Sequence, residues 1–207
     1  MYKDDDERLA FIFGGVSAAK KATKKFVNAL HKFPRKINWT KISYRMGQSL
    51  ESYLDCDCDV FIFISQNPQY THYDTCVSGA ATVPNKFSPE RDLEIHIDIS
   101  PDLYNNTIPV TDEYCKYFEK LFTLTFIHEL THTTQYDDLI EHNDSYFESP
   151  FEIDAYSTEC AYEMSLNGGI RTTTEAYLRY NSVRDRKIFQ KFRDMTVDKF
   201  NYLKNHK

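Results

Sequence analysis

The sequence predicts an α+β fold: a small mixed sheet packed on helices, followed by a mainly helical second half. Three observations carry this. Two strand-like runs, "DVFIFIS" (59–65) and "LEIHIDIS" (93–100), lie in the first half. From residue 111 onward, helix caps and helical apolar spacing take over. No regular strand–helix alternation links the two halves, so an alternating α/β fold is not indicated. The chain reads as a single domain over 1–207, with a helix-plus-sheet part (1–110) and a helical part (111–207).

Taken in order, residues 16–32 form an amphipathic helix ended by Pro34. Val16, Ala19, Thr23, Phe26, Val27 and Leu30 follow helical spacing, and the lysines of "KKATKKFVNALHKFPRK" (20–36) fall on the solvent side. The alternative for this basic stretch is a membrane-surface or partner-binding role. "INWTKISY" (37–44) reads as a strand or strand-turn and "SLESYL" as a short helix. "DVFIFIS" is a continuous apolar run, the pattern of a buried central strand. Residues 66–92, with three prolines and Gly79, read as loop. "LEIHIDIS" alternates strictly, as a half-buried strand does. Thr111 caps a helix over 112 to about 136, with Asp112 and Glu113 in its first turn. Pro150 opens another helix, to about Leu166, ended by "NGG" (167–169). "TTTE" (172–175) caps a last helical stretch, broken near 181.

Composition narrows the class. A net charge of −6 and a pI near 5.6 disfavour broad nucleic-acid binding. Fifteen Tyr and fifteen Phe argue against disorder. No run of 18 apolar residues is present, so no membrane span is expected. The start "MYKDDDERLAFIFGG" is acidic where a signal peptide is basic, and a cytoplasmic protein is expected. Five cysteines, an odd number, fit reduced thiols better than a disulfide framework, and "CDCD" (56–59) has no second Cys pair at zinc-finger spacing. Richness in Asn, Lys, Tyr and Phe suits an AT-rich genome, such as a viral one. Oligomeric state has no signature here.

Chemistry concentrates in "FTLTFIHELTHTTQYDD" (122–138). His128 and His132 bracket Glu129 as H-E-x-x-H. Positions i and i+4 share one helix face, so the two imidazoles can bind one metal ion. Glu129 lies close enough round the helix to act as base toward a water at that ion. A motif of this kind is expected by chance in only ~0.015 chains of this composition. Without a metal, the pair would be core histidines bonded to carbonyls or carboxylates. Catalytic zinc takes three protein ligands. In "ESPFEIDAYSTE" (148–159) the carboxylates are Glu148, Glu152, Asp154 and Glu159. Glu152 is in the first turn of the next helix, with Tyr156 and Glu159 continuing its face. Asp154 points about 200° away from it. Glu152 is the expected third ligand and Glu148 the reserve.

"HELTH" followed by "EIDAY", with Glu152 twenty residues beyond His132, resembles the gluzincin branch of the zincin metallopeptidases over roughly residues 120–160. The resemblance implies a zincin-like fold and Zn²⁺ held by His128, His132 and Glu152. It also implies Glu129 as general base, and a sheet whose edge strand pairs with an extended peptide or protein substrate; "LEIHIDIS" is the natural candidate. The metzincin pattern does not fit, because Asp138 stands where a third histidine belongs and Gln135 where a glycine does. Several gluzincins carry an aspartate four residues after the third ligand, bonded to a zinc histidine; here that position is Tyr156.

Peptide hydrolysis would need an oxyanion donor as well. Tyr156, on the face of Glu152, is the first candidate, followed by His142, Tyr146 and Arg171. The alternative for Tyr156 is that it simply packs against or bonds a zinc ligand. Gln135 either lines the cleft or is a polar surface residue, and His96 reads as a free surface histidine. The competing functions are a non-catalytic binding or structural protein on a zincin scaffold and a metal-dependent amidase acting on cell-wall peptide. Retention of Glu129 favours an enzyme.

Overall fold

A computed structural model describes residues 4–54, 58–84, 91–135, 149–183 and 185–206. The chain is mixed α+β, with its second half helical among the described residues. Clustering of the backbone gives two compact units that are interleaved in sequence. The sheet unit comprises residues 14–82 and 90–126; the helical unit comprises residues 1–13, 83–89 and 127–207. Two helices contribute to both: α1 (Asp5–Leu30) divides after Phe13 and α4 (Asp112–Thr134) after Phe126.

In the sheet unit, α1 is followed by α2 (Trp39–Glu51), β1 (Cys58–Gln66), β2 (Thr75–Ala81), β3 (Arg91–Ile99), the short α3 (Pro101–Tyr104) and the first part of α4. The α1 helix starts well before residue 16, because "LAFIFGGV" continues the helix rather than preceding it. Residues 37–44 are not a strand. Asn38 accepts a hydrogen bond from the Lys41 amide and caps α2, which absorbs both "INWTKISY" and the start of "SLESYL". A Cβ at Gly47 would lie 3.3 Å from the Val60 carbonyl oxygen, so α2 packs closely on β1 at that point. Cys58, Cys76, Cys115 and Cys160 are free thiols; Cys56 lies outside the described residues.

The sheet order is β1-β3-β2, with β1 parallel and β2 antiparallel to β3. This overturns two expectations. The alternating strand β3 is central, flanked by β1 and β2, and its edge is not available to a peptide. The continuous apolar run in β1 lies at an edge, and Phe61 and Phe63 are nearly half exposed on its outer face. Alternation reports which face of a strand is wet, and nothing about which strands lie beside it. Strand β2 also lies within residues 66–92, where a loop was expected. "TCVSGAA" has one β-branched hydrophobe and no aromatic residue, so it carries little strand signal.

The buried face of the sheet is Leu93, Ile95, Ile97 and Ile99 with Val60, Ile62 and Val77. An aromatic series completes this core: Phe26 stacks on Phe118 at 4.1 Å and meets Trp39 at 5.5 Å, and Trp39 meets Tyr104 at 5.6 Å. The Trp39 indole N–H donates to the Tyr104 carbonyl at 2.8 Å, which satisfies its one polar atom.

The helical unit holds the end of α4, then α5 (Pro150–Leu166), a 3-10 turn (Arg171–Thr173), α6 (Glu175–Tyr180) and α7 (Arg186–Asn205). The α5 limits agree with the sequence reading. Ser149 caps its start, and Gly168 and Gly169, both at positive φ, end it, with the Gly169 amide bonding the Met164 carbonyl at 2.8 Å. Thr174 caps α6, and the chain breaks before α7 as expected. Ile153, Tyr156, Cys160, Met164, Ala176, Tyr180 and Phe192 form the core of this unit, with Tyr180 and Phe192 stacked at 4.4 Å. Among the described residues no helix is long and apolar enough to cross a membrane.

The central place of β3 has a direct test. In native-state hydrogen exchange its amides, bonded to β1 and β2, should be the last in the sheet to exchange. Exchange from β3 as fast as from β1 and β2 would contradict the strand order.

Candidate metal centre

Every residue of the centre belongs to the helical unit. The last turns of α4 present His128 and His132 on one face, as their i, i+4 spacing requires. The first turn of α5 presents Glu152. The Nε2 atoms of the two histidines are 3.1 Å apart. Glu152 Oε2 lies 3.4 Å from His128 Nε2, and its Oε1 lies 3.5 Å from His132 Nε2. One donor atom from each residue falls within a 4.8 Å cluster.

These separations suit a metal. Donors at ~2.0–2.1 Å from a tetrahedral zinc stand ~3.3–3.4 Å from one another, the edge of the tetrahedron. The outer ring nitrogens give a second indication. His128 Nδ1 is 2.7 Å from Glu159 Oε1, and His132 Nδ1 is 2.8 Å from Gln135 Oε1. With the ring protons on the Nδ1 atoms, beside Gln135 and Glu159, both Nε2 lone pairs would point inward at each other. Two lone pairs at 3.1 Å repel unless a proton or a metal cation lies between them. The residues therefore fit a divalent ion with two nitrogen donors and one carboxylate.

The electrostatics point the same way. Burial lowers the His128 pKa, but hydrogen bonds to Glu152 and Glu159 and nearby carboxylate charge outweigh it and lift the value to about 10. Burial, together with the charge of His128, holds His132 below its ordinary value. Burial raises Glu129 to about 7; the charge of His128 opposes this and those of Glu152 and Glu159 add to it. Protonated His128 thus balances the carboxylates where a bound cation would do so.

Glu159 and Gln135 are the partners of the two histidines, and sequence reasoning did not assign those roles. Glu159 was recognised only as continuing the face of Glu152. Gln135 is buried rather than a surface residue: besides His132 it bonds the Phe151 carbonyl and Asp154 Oδ2, both at 3.0 Å. Asp154 points away from the site as predicted, into a buried ion cluster. Arg8 reaches both its oxygens at 2.8–2.9 Å, and Lys199 donates to Oδ1 at 2.5 Å. Lys199 also reaches the Asp154 carbonyl, Ser157 Oγ and Thr158 Oγ1 at 2.6–2.8 Å. Burial pulls Lys199 down to about 8, against the opposing charge of Asp154.

Tyr156 meets the His128 ring edge-on at 4.6 Å, and its hydroxyl receives a hydrogen bond from Arg179 at 3.3 Å. These contacts pack it against His128 and Arg179. Arg171 lies over the Tyr177 ring at 5.4 Å. His96 is exposed and stacked on Phe63. The reserve ligand Glu148 and the oxyanion candidates His142 and Tyr146 lie outside the described residues. No protein-family profile, characterised protein or solved structure matches the chain.

Asp154 yields a prediction about pH. Burial alone would raise its carboxyl, but Lys199 and Arg8 hold it below the usual value. A depressed carboxylate stabilises the fold fully above the unfolded value of ~3.9 and loses that contribution as pH falls through the folded value. Asp154→Asn leaves two cations uncompensated and should cost roughly 3 kcal/mol or more at neutral pH. In urea titrations the gap between wild type and variant should narrow below about pH 4. A gap that does not change with pH would mean that charge is not what Asp154 supplies.

Proposed function

We propose that the chain is a zinc-dependent peptidase of gluzincin type, with His128, His132 and Glu152 as metal ligands and Glu129 as general base. The observation that carries this reading is the triangle of inward-facing donors at 3.1–3.5 Å, with each histidine held from behind by its own acceptor. A zincin-like fold for the helices around it belongs to the same proposal. When bound, zinc lowers the pKa of a coordinated water toward ~7 and polarises the scissile carbonyl. Glu129, buried and raised to about 7, takes the proton of the attacking water and returns it to the leaving amine. Glu159 and Gln135 hold the two rings in place. Tyr156 keeps the His128 ring from turning, and Arg179 at its hydroxyl adds positive charge on that side. Substrate pairing along β3 forms no part of the proposal, because that strand is internal.

Elemental analysis and peptide cleavage test it together. The purified chain should carry one zinc, lost in Glu152→Ala and in His128→Ala. Glu129→Gln should keep its zinc and lose at least ~100-fold in cleavage of a fluorogenic peptide library, because it removes the base and spares the ligands. Zinc lost in parallel with activity in Glu129→Gln would make Glu129 a structural residue. Stoichiometric zinc with no cleavage of peptides or cell-wall amides would favour a binding or structural role.

A further inference from the structure

Ligation through His132 Nε2 requires the ring proton to be on Nδ1, because a neutral imidazole carries only one. Nothing in H-E-x-x-H decides between the two nitrogens. Gln135 Oε1, 2.8 Å from Nδ1, would decide it, but a glutamine amide can turn over. Turned over, it would offer N–H to Nδ1 and drive the proton to Nε2, closing that ligand position.

The far side of the amide prevents the reversal. Gln135 Nε2 faces Asp154 Oδ2 and the Phe151 carbonyl, each at 3.0 Å. Both are acceptors only, so a turned amide would set oxygen against oxygen twice in a buried place. Asp154 is itself held still in this position. Arg8 grips both its oxygens and Lys199 closes on Oδ1, so the carboxylate is fixed from α1 and from α7.

We propose that Asp154, clamped by Arg8 and Lys199, acts through Gln135 to keep the His132 proton on Nδ1 and its Nε2 free for the metal. Gln135, Asp154, Arg8 and Lys199 are positioning residues; none of them is a metal ligand. His128 has a separate device, Glu159 directly on its Nδ1. The outer nitrogens of the two histidines therefore face different partners, and the relay acts on His132 first. The proposal rests on the metal-centre reading only for its effect on affinity; the position of the proton stands apart from it.

The test is nitrogen–proton correlation NMR of the imidazole rings in the full metal-free chain at neutral pH. Wild-type His132 should show its proton on Nδ1. In Gln135→Leu the Nε2-protonated form should appear, and zinc affinity, measured against a chromophoric chelator, should fall roughly 10–100-fold. Lys199→Met should move both readouts the same way by less. A wild-type His132 protonated on Nε2 would overturn the proposal, and so would variants that lower Tm but leave the His132 proton where it was. If Lys199→Met does not fold, the wild-type spectrum and Gln135→Leu decide. If the wild type takes up no zinc, the metal-centre reading fails while the spectrum still tests the relay.

Discussion

Two imidazole nitrogens that face each other at 3.1 Å, with Glu159 and Gln135 beside their opposite nitrogens, need a proton or a cation between them. The rest of the centre follows from that constraint. Glu129, Glu152 and Glu159 gather carboxylate charge around one buried spot, which is unfavourable until a cation shares it. Metal-free, the site favours protons: hydrogen bonds to Glu152 and Glu159 lift His128, and burial lifts Glu129. Metal uptake at neutral pH would therefore release protons, and affinity should rise with pH.

The α5 helix serves two polar clusters at once. Glu152, Tyr156 and Glu159 turn toward His128, while the Asp154 carbonyl and carboxylate, Ser157 and Thr158 turn toward Lys199. A helix that places polar groups on opposite sides and is buried along most of its length cannot rely on an amphipathic pattern to find its place. Specific hydrogen bonds position it, and each has a partner on another segment. Ala155, fully buried, is small where a larger side chain would have to be accommodated.

The parts of the site legible in the sequence were those with local spacing. His128, Glu129 and His132 declare themselves within five residues, and Glu152 followed from a proline-initiated helix with carboxylates in known phase. Helix ends with strong signals, at Pro150, Thr174 and Gly168–Gly169, were legible for the same reason. Arg8 and Lys199 were not. They reach Asp154 from 146 and 45 residues away, and nothing near them in sequence announces a buried carboxylate. Gln135 was ambiguous because a polar residue one turn past a histidine looks alike whether it faces solvent or Asp154. The sheet was misread where hydrophobic pattern stood in for neighbour relations. Phe61 and Phe63 made an edge strand look central, and "TCVSGAA" hid a strand behind small residues.

The Lys199 contact also imposes an order in time. A ribosome releases α4 and α5 well before residue 199, which lies 47 positions after Glu152. During that interval His128, His132 and Glu152 already exist, but of its two cations Asp154 has only Arg8. The clamp on α5 closes only when α7 has emerged and docked on it. A nascent chain thus carries the motif without its finished setting, which is completed only after most of the polypeptide has been made.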